Sequence, residues 1–157
     1  MHRKKLAIVG AGPCGMTLGL LLNKLGVRNF SIFESRSEHQ LINSHPAAHY
    51  LNSRSMEIFD SIDDLGKSIR DSSEELDSFR HYRYCRTVGG FEFQKTDQLA
   101  PEVISRLRKL SSVEPSHLPQ HKLARAMLYQ YKKDNDLSDV LKFSQSVEKL
   151  NMQNDGV

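Results

Sequence analysis

Residues 5–36 read KLAIVGAGPCGMTLGLLLNKLGVRNFSIFESR, and this stretch decides the fold. Its apolar run Leu6–Val9 predicts a short buried strand that ends directly in a glycine-rich turn. A leucine-rich segment then predicts a helix that stops at Gly26, and the apolar run Phe30–Phe33 predicts a second strand. An acid, Glu34, follows that strand at once. The order strand, glycine turn, helix, strand, acid predicts a Rossmann-like β-α-β unit within an α/β fold.

Each residue type in the glycine turn has a physical reason to be there. Gly10 lets the chain turn sharply out of the strand, Gly12 lacks a Cβ that would keep a diphosphate from the backbone, and Gly15 lets the helix approach the strand. Pro13 suits a first helical turn, and Cys14 is a small residue within it. The N–H groups of this turn lie at the positive end of the helix dipole. The pattern therefore predicts a site for the diphosphate of a dinucleotide.

The acid after the second strand predicts how the sugar is held. Glu34 lies 19 residues after Gly15, a distance at which a carboxylate can accept hydrogen bonds from both ribose hydroxyls. A carboxylate there would repel a 2′-phosphate, which disfavours NADP at this site. The β-α-β unit alone is also compatible with a simple NAD-binding module.

Length and composition favour one soluble domain. The chain has 157 residues, with 38% apolar and 26% charged content. No apolar run approaches the roughly 20 residues of a membrane span, and no secretory signal is expected before the first strand. Two cysteines, Cys14 and Cys85, form no disulfide framework, so a cytoplasmic location is expected. The net charge of +3 does not predict nucleic-acid binding.

Two histidine pairs have spacings that can suit a metal. His45 with His49, and His117 with His121, are each four residues apart. A proline falls within each span, so neither pair is expected to share a helix face, and no metal site is predicted.

The rest of the chain alternates short elements and turns. We expect a polar loop at 37–52, then a helix at 53–66 with Ser53 as cap and Gly66 as stop. A surface connection at 71–78 leads to a hairpin at 79–93 that turns at Gly89-Gly90. Helices are expected at 101–110 and 120–133, followed by strands at 140–143 and 147–152. A hairpin-turn signal at 154–156 has no returning strand, so a truncated chain is expected.

Taken together, the chain resembles the N-terminal portion of the FAD-dependent aromatic hydroxylases, the single-component monooxygenases of the para-hydroxybenzoate and phenol hydroxylase type. Four features carry the resemblance. They are the 10–34 unit at the N-terminus, the segment HPAAHYLNSRSMEIF at 45–59, a hairpin-rich middle, and LPQHKL at 118–123.

The resemblance implies an FAD site and an assignment of its residues. Gly10, Gly12 and Gly15 would hold the diphosphate, Glu34 the adenosine ribose, and Gln120 the ribityl hydroxyls. Three further residues are included in that site: Ser35; Arg36, which would either lie near adenine or pair with Glu34; and Arg125, which would meet phosphate.

The resemblance also implies a division of the chain. Residues 1–70 and 115–157 would form the nucleotide-binding core, and 75–114 an inserted hairpin and helix of an incomplete, β-rich substrate domain.

The activity implied is hydroxylation of a small aromatic substrate with NAD(P)H as electron donor and O₂. The family's second flavin motif, an Asp-Gly, is expected beyond these residues. Asp155-Gly156 is not taken for it, because this dipeptide lies in a polar turn with no apolar strand before it. No catalytic residue is assigned. The alternative is a shortened, non-catalytic subunit of a larger assembly. The partner would then be another protein chain, or a second copy of this one.

Overall fold

The computed structural model describes residues 5–45, 47–134, 137 and 139–151, and they form two compact units. The first unit comprises residues 1–48 with 119–157, and the second comprises 49–118. Residues 49–70 and 115–118, which the resemblance assigns to the nucleotide-binding core, group with the second unit. Compactness does not test which residues contact a nucleotide, so the domain assignment stays a prediction.

Fourteen elements follow one another along the described residues. In chain order they are β1 (Leu6–Val9), α1 (Pro13–Lys24), β2 (Phe30–Phe33), α2 (Glu38–Ile42), β3 (Tyr50–Leu51), α3 (Ser53–Asp60), α4 (Leu65–Ser72), a 3₁₀ turn (Leu76–Phe79), β4 (His81–Cys85), β5 (Glu92–Asp97), α5 (Pro101–Leu110), β6 (Ser116–His117), α6 (Gln120–Lys133) and β7 (Leu141–Lys142).

A parallel sheet of order β1-β2-β7 forms the centre of the first unit. Leu6 lies opposite Phe30, and Ile32 lies opposite Leu141. The right-handed β-α-β connection of such a sheet requires a helix between the paired strands, and α1 is that helix. The predicted α/β class and the β-α-β unit are confirmed.

The predicted burial of β1 is wrong. Leu6 is 45% exposed and Val9 63% exposed, whereas Ile32 in the middle strand is fully buried. The side chains of β1 are exposed because this strand lies at the edge of the described sheet and has only β2 beside it. An apolar run therefore identified the strand correctly but not its burial.

Helix α1 lies close to the sheet because it carries glycine where a side chain would not fit. A Cβ on Gly19 would lie 2.2 Å from the Tyr131 hydroxyl oxygen and 2.8 Å from Ile32 Cδ1. That hydroxyl donates a 2.7 Å hydrogen bond to the Met16 carbonyl, which joins α1 to α6. Burial raises the pKa of Tyr131, so the phenol stays a donor.

The second unit contains the hairpin and three helices. Strands β4 and β5 are antiparallel, and the turn between them has positive φ at Gly89. The predicted hairpin is thus present, and α5 and α6 have the bounds expected from their apolar spacing. The short strands β3 and β6 pair near the residues where the chain enters and leaves this unit.

Three predicted local structures are wrong. The expected loop at 37–52 contains α2, because Ser37 and Gln40 form a reciprocal capping box. The helix predicted for 53–66 ends at Asp60 and is capped by Asn52, and Gly66 lies inside a second helix, α4. Gly66 does not stop that helix but allows α3 and α4 to approach, since a Cβ there would lie 2.9 Å from the Asp60 Cα atom.

Of the two strands predicted near the C-terminus, one is present in the described residues. The strand predicted at 140–143 is present as β7, whereas the described residues 147–151 form no strand. Several polar side chains in that segment leave little apolar surface to cover a sheet. The hairpin turn predicted at 154–156 lies outside the described residues.

Candidate functional site

The start of helix α1 presents unpaired backbone N–H groups. Gly10 has φ of +97°, and its N–H donates to the Phe33 carbonyl over 2.7 Å, which fixes the turn to β2. The first helical hydrogen bond runs from Met16 to the Gly12 carbonyl, so the N–H groups of Cys14 and Gly15 have no acceptor within the helix. No side chain caps this end, and no acid lies in the first turn. Such an end favours an anion.

The glycines of this turn differ in what surrounds them. A Cβ on Gly12 would meet nothing within 4 Å, so the surface there is open to an incoming group. A Cβ on Gly15 would lie 2.0 Å from the Gly10 carbonyl oxygen, so that glycine serves the packing of the turn itself. Pro13 is the first helical residue and Cys14 is exposed beside it. The five residues predicted for the turn thus lie together, in two different physical roles.

Glu34 is joined to the glycine turn by a hydrogen bond. Its side chain is 4% exposed, and its Oε2 accepts the Ala11 N–H over 2.8 Å. Hydrogen bonds from the Arg36 side chain, against the opposing effect of burial, lower the pKa of Glu34 to about 2. The carboxylate is therefore charged near neutral pH and lies beside the predicted phosphate site. The role of the Ala11 amide could not be predicted from the sequence, since every residue except proline has such a donor.

Arg36 pairs with Glu34, which was one of the two alternatives left open above. Its Nε donates to Oε1 over 2.8 Å and its Nη2 to Oε2 over 3.2 Å. The Arg36 backbone N–H also donates to Oε1, over 3.0 Å. The Ser35 hydroxyl lies 3.4 Å from the same oxygen. Ser35 and Arg36 thus both contact the acid, and their place in a cofactor site stays a prediction.

Gln120 and Arg125 both lie on α6. Gln120 is its first residue, and its N–H donates to the Ala48 carbonyl over 3.0 Å. Arg125 is exposed and donates to the Ile42 carbonyl over 3.1 Å and to Asn43 Oδ1 over 2.8 Å. These bonds place Arg125 at the end of α2, where it pairs with the last carbonyl of that helix and with the side chain of its C-cap residue. Their contacts to ribityl and phosphate stay predictions.

The second unit contains a pair of neighbouring histidines that was not predicted from the sequence. The Nδ1 atoms of His49 and His117 are 3.0 Å apart, and the His117 ring stacks on Phe79 with centroids 4.2 Å apart. Burial, followed by the charge of His49, lowers the pKa of His117. The two histidines are 68 residues apart in the chain, so no spacing could have paired them. Among the described residues no group of three or more metal-ligating side chains occurs.

The second unit also contains an apolar cavity of about 90 Å³. Aromatic rings form part of its wall, and its polar groups include the Gln98 amide, the Arg108 guanidinium, the Glu114 carboxylate and serine hydroxyls. Its lining residues include Tyr50, Phe79, Gln98, Ile104, Arg108 and His117. An apolar cavity of about 150 Å³ binds benzene, so this space of about 90 Å³ is smaller than one aromatic ring requires.

The comparisons of this chain with a family profile and with solved structures agree with one another. Residues 3–157 match the sequence profile of the family described as FAD binding domain. The flavin-dependent monooxygenase PieE, solved with FAD and substrate, is 24% identical and superposes with a TM-score of 0.74 over 89% of this chain. The p-nitrophenol 4-monooxygenase PnpA of Pseudomonas putida DLL-E4 is 20% identical, with a TM-score of 0.72 over 96%. Aklavinone-11 hydroxylase, solved with FAD and aklavinone, is 21% identical, with a TM-score of 0.69 over 92%.

The chain spans only part of each of these proteins. It covers 23% of PieE, 34% of PnpA and 26% of aklavinone-11 hydroxylase. No curated protein sequence matches it. Within the described ranges, none of the helices has both the length and the apolar character needed to cross a bilayer.

Proposed function

Because the chain belongs to the family of FAD-binding domains, we propose that it is the FAD-binding portion of a flavoprotein monooxygenase that hydroxylates an aromatic substrate using NAD(P)H and O₂. The predicted family is confirmed for its FAD-binding portion, and so is FAD as the cofactor. The reaction itself is the proposal. Its support is that the three similar structures above are described as monooxygenases or hydroxylases.

One observation carries the cofactor site: the buried carboxylate of Glu34 lies 2.8 Å from the backbone of the turn that opens α1. The turn would hold the diphosphate through the N–H groups of Cys14 and Gly15, and Glu34 would hold the ribose. We propose Gln120 for the ribityl chain and Arg125 for phosphate, in line with the family resemblance. FAD, when bound, supplies the electron transfer and the oxygen chemistry. The residues of this chain bind and orient it.

The absorption spectrum of the purified chain tests this proposal. We expect flavin bands near one equivalent after incubation with FAD. Gly12→Ala should weaken FAD binding by at least about tenfold, because its methyl group would enter the space that the diphosphate needs. The same variant should retain its far-ultraviolet circular dichroism, since that Cβ meets no protein atom. A wild-type chain that stays colourless with excess FAD would overturn the proposal.

We further propose that the cavity of the second unit takes a single aromatic ring once its walls move apart, because its volume of about 90 Å³ is below the roughly 150 Å³ of a cavity that binds benzene. The Phe79 and His117 rings are stacked on each other in its wall, and Gln98 and Arg108 can hydrogen-bond a hydroxyl on the ligand ring. This supports a phenol-like ligand over an aliphatic one of the same size.

Binding of phenol tests the cavity. We expect phenol to shift the NMR resonances of His117 with a Kd on the order of 1 mM, and cyclohexanol to bind more weakly. Ile104→Trp should abolish binding by filling the space, because Ile104 lines it. Leu110→Trp on the same helix is the matched control, since Leu110 is 78% exposed and does not line the cavity. Equal binding by both variants would contradict this assignment.

A non-catalytic role in a larger assembly is the second candidate. The exposed apolar edge of β1, with Val9 63% exposed, favours it, because such an edge can pair with a strand from another chain. A colourless chain that purifies with a partner or as a homo-oligomer would support this role. We also propose a cytoplasmic location, supported by Cys14 and Cys85, which are unpaired and exposed.

A further inference from the structure

We propose that the Arg36 side chain occupies the two acceptor positions on Glu34 that a ribose diol needs, so that adenosine binding displaces the guanidinium from the carboxylate. Arg36 is then a positioning residue that sets how strongly the site depends on the sugar hydroxyls. The inference rests on the proposed FAD site and adds to it a competition within the chain itself.

The carboxylate of Glu34 has no acceptor position left. An ionised carboxylate offers about four lone-pair positions. On Oε2 they are taken by the Ala11 N–H at 2.8 Å and by Arg36 Nη2 at 3.2 Å. On Oε1 they are taken by the Arg36 backbone N–H at 3.0 Å and by Arg36 Nε at 2.8 Å, with the Ser35 hydroxyl at 3.4 Å as a longer contact. Two ribose hydroxyls cannot be added to this set.

Departure of the guanidinium frees two acceptor positions on Glu34, which is the number that the two hydroxyls of a ribose use. Nε and Nη2 of Arg36 are neighbouring donors, and each bonds a different oxygen of Glu34. The 2′- and 3′-hydroxyls of a ribose are likewise neighbouring donors that can each bond one carboxylate oxygen. The two backbone bonds to Glu34, from Ala11 and Arg36, can remain in place during the exchange.

Burial determines which partner moves. Glu34 is 4% exposed, whereas the Arg36 side chain is 41% exposed. The Arg36 backbone is held on both sides, by its own N–H to Glu34 and by its carbonyl, which accepts the Ser144 N–H over 3.1 Å. The guanidinium can therefore leave by side-chain rotation alone. The acid, held by Ala11 and buried, stays in place.

Exchanging these partners has a cost that a variant can remove. The ribose must replace an ion pair with two hydrogen bonds from neutral hydroxyls to the carboxylate, so the attraction between the opposite charges of Arg36 and Glu34 is lost. In Arg36→Met the diol would instead meet a carboxylate with two open acceptor positions. We therefore expect that the gain in affinity from the two hydroxyls is larger in the variant than in the wild type.

The experiment compares ADP with 2′,3′-dideoxy-ADP by titration calorimetry on the wild type and Arg36→Met. Both ligands carry the same diphosphate, so the ratio of their Kd values cancels the loss of positive charge near the site. We expect this ratio to rise by roughly tenfold in Arg36→Met. Lys132→Met is the matched control, because it removes a cation from an exposed ion pair with Glu38 in the same unit, and should leave the ratio unchanged.

A second measurement uses the unmodified chain and does not depend on the stability of a variant. In spectra of the ¹⁵N-labelled wild type, the Arg36 Nε–H resonance should move toward the position of solvent-exposed arginines when ADP is added. It should not move with 2′,3′-dideoxy-ADP. An unmoved resonance with ADP bound, or an unchanged Kd ratio in Arg36→Met, would overturn the inference and leave the proposed FAD site intact. If the wild type bound neither ADP nor FAD, the proposed function would fail together with it.

Discussion

Gly15→Ala is expected to lower the free energy of unfolding by about 2–3 kcal/mol, as measured by urea denaturation followed by circular dichroism. The new Cβ would lie 2.0 Å from the Gly10 carbonyl oxygen and 3.3 Å from Ile8 Cγ2. A backbone atom cannot rotate away as a side chain can, so α1 must move off the strand. This cost exceeds the gain of up to about 1 kcal/mol that alanine brings to a helix.

Gly12→Ala is the matched control, since it makes the same chemical change three residues earlier. Gly12 has φ of −69°, which alanine adopts readily, and its Cβ would meet no atom within 4 Å. We expect a change of less than about 1 kcal/mol at this N-cap position. Equal losses in the two variants would show that contact with the Gly10 carbonyl is not what requires glycine at position 15.

Acidification should remove about 3 kcal/mol of stability through Glu34. The pKa of Glu34 is about 2 in the folded protein against an ordinary value of 4.5, so the unfolded chain binds the proton more readily. This contribution is fully present above pH 4.5 and is lost as the pH falls from 4.5 toward 2. The size follows from about 1.36 kcal/mol per pKa unit. Urea denaturation between pH 2 and 7 measures it.

Glu34→Gln isolates this contribution. An amide cannot hold the charged pair with Arg36, so the variant should be less stable than the wild type at pH 7 by a similar amount. The difference between the two proteins should shrink toward pH 2. Glu38→Gln, which removes a carboxylate from an exposed pair with Lys132, should cost no more than about 1 kcal/mol. A difference between wild type and Glu34→Gln that stays constant with pH would contradict this role of the carboxylate.

Elements with strong local signals were predicted well. The helices at Pro101–Leu110 and Gln120–Lys133 have the expected bounds, since a proline precedes or begins each and apolar residues recur at helical spacing. The hairpin at β4 and β5 also follows from a local signal, the glycine turn. The helix α4 was missed because Gly66 looks like a stop in sequence, whereas packing against Asp60 is what requires it.

The sequence by itself determined the β-α-β unit, the glycine turn and the acid after the second strand, because these depend on hydrogen bonds and backbone freedom within a few neighbouring residues. Only the tertiary structure decided that Glu34 bonds the Ala11 amide, 23 residues away, and that His49 meets His117. It also decided that β1 is an exposed edge. Contacts between distant residues depend on how the elements pack, and neither spacing nor composition records that packing.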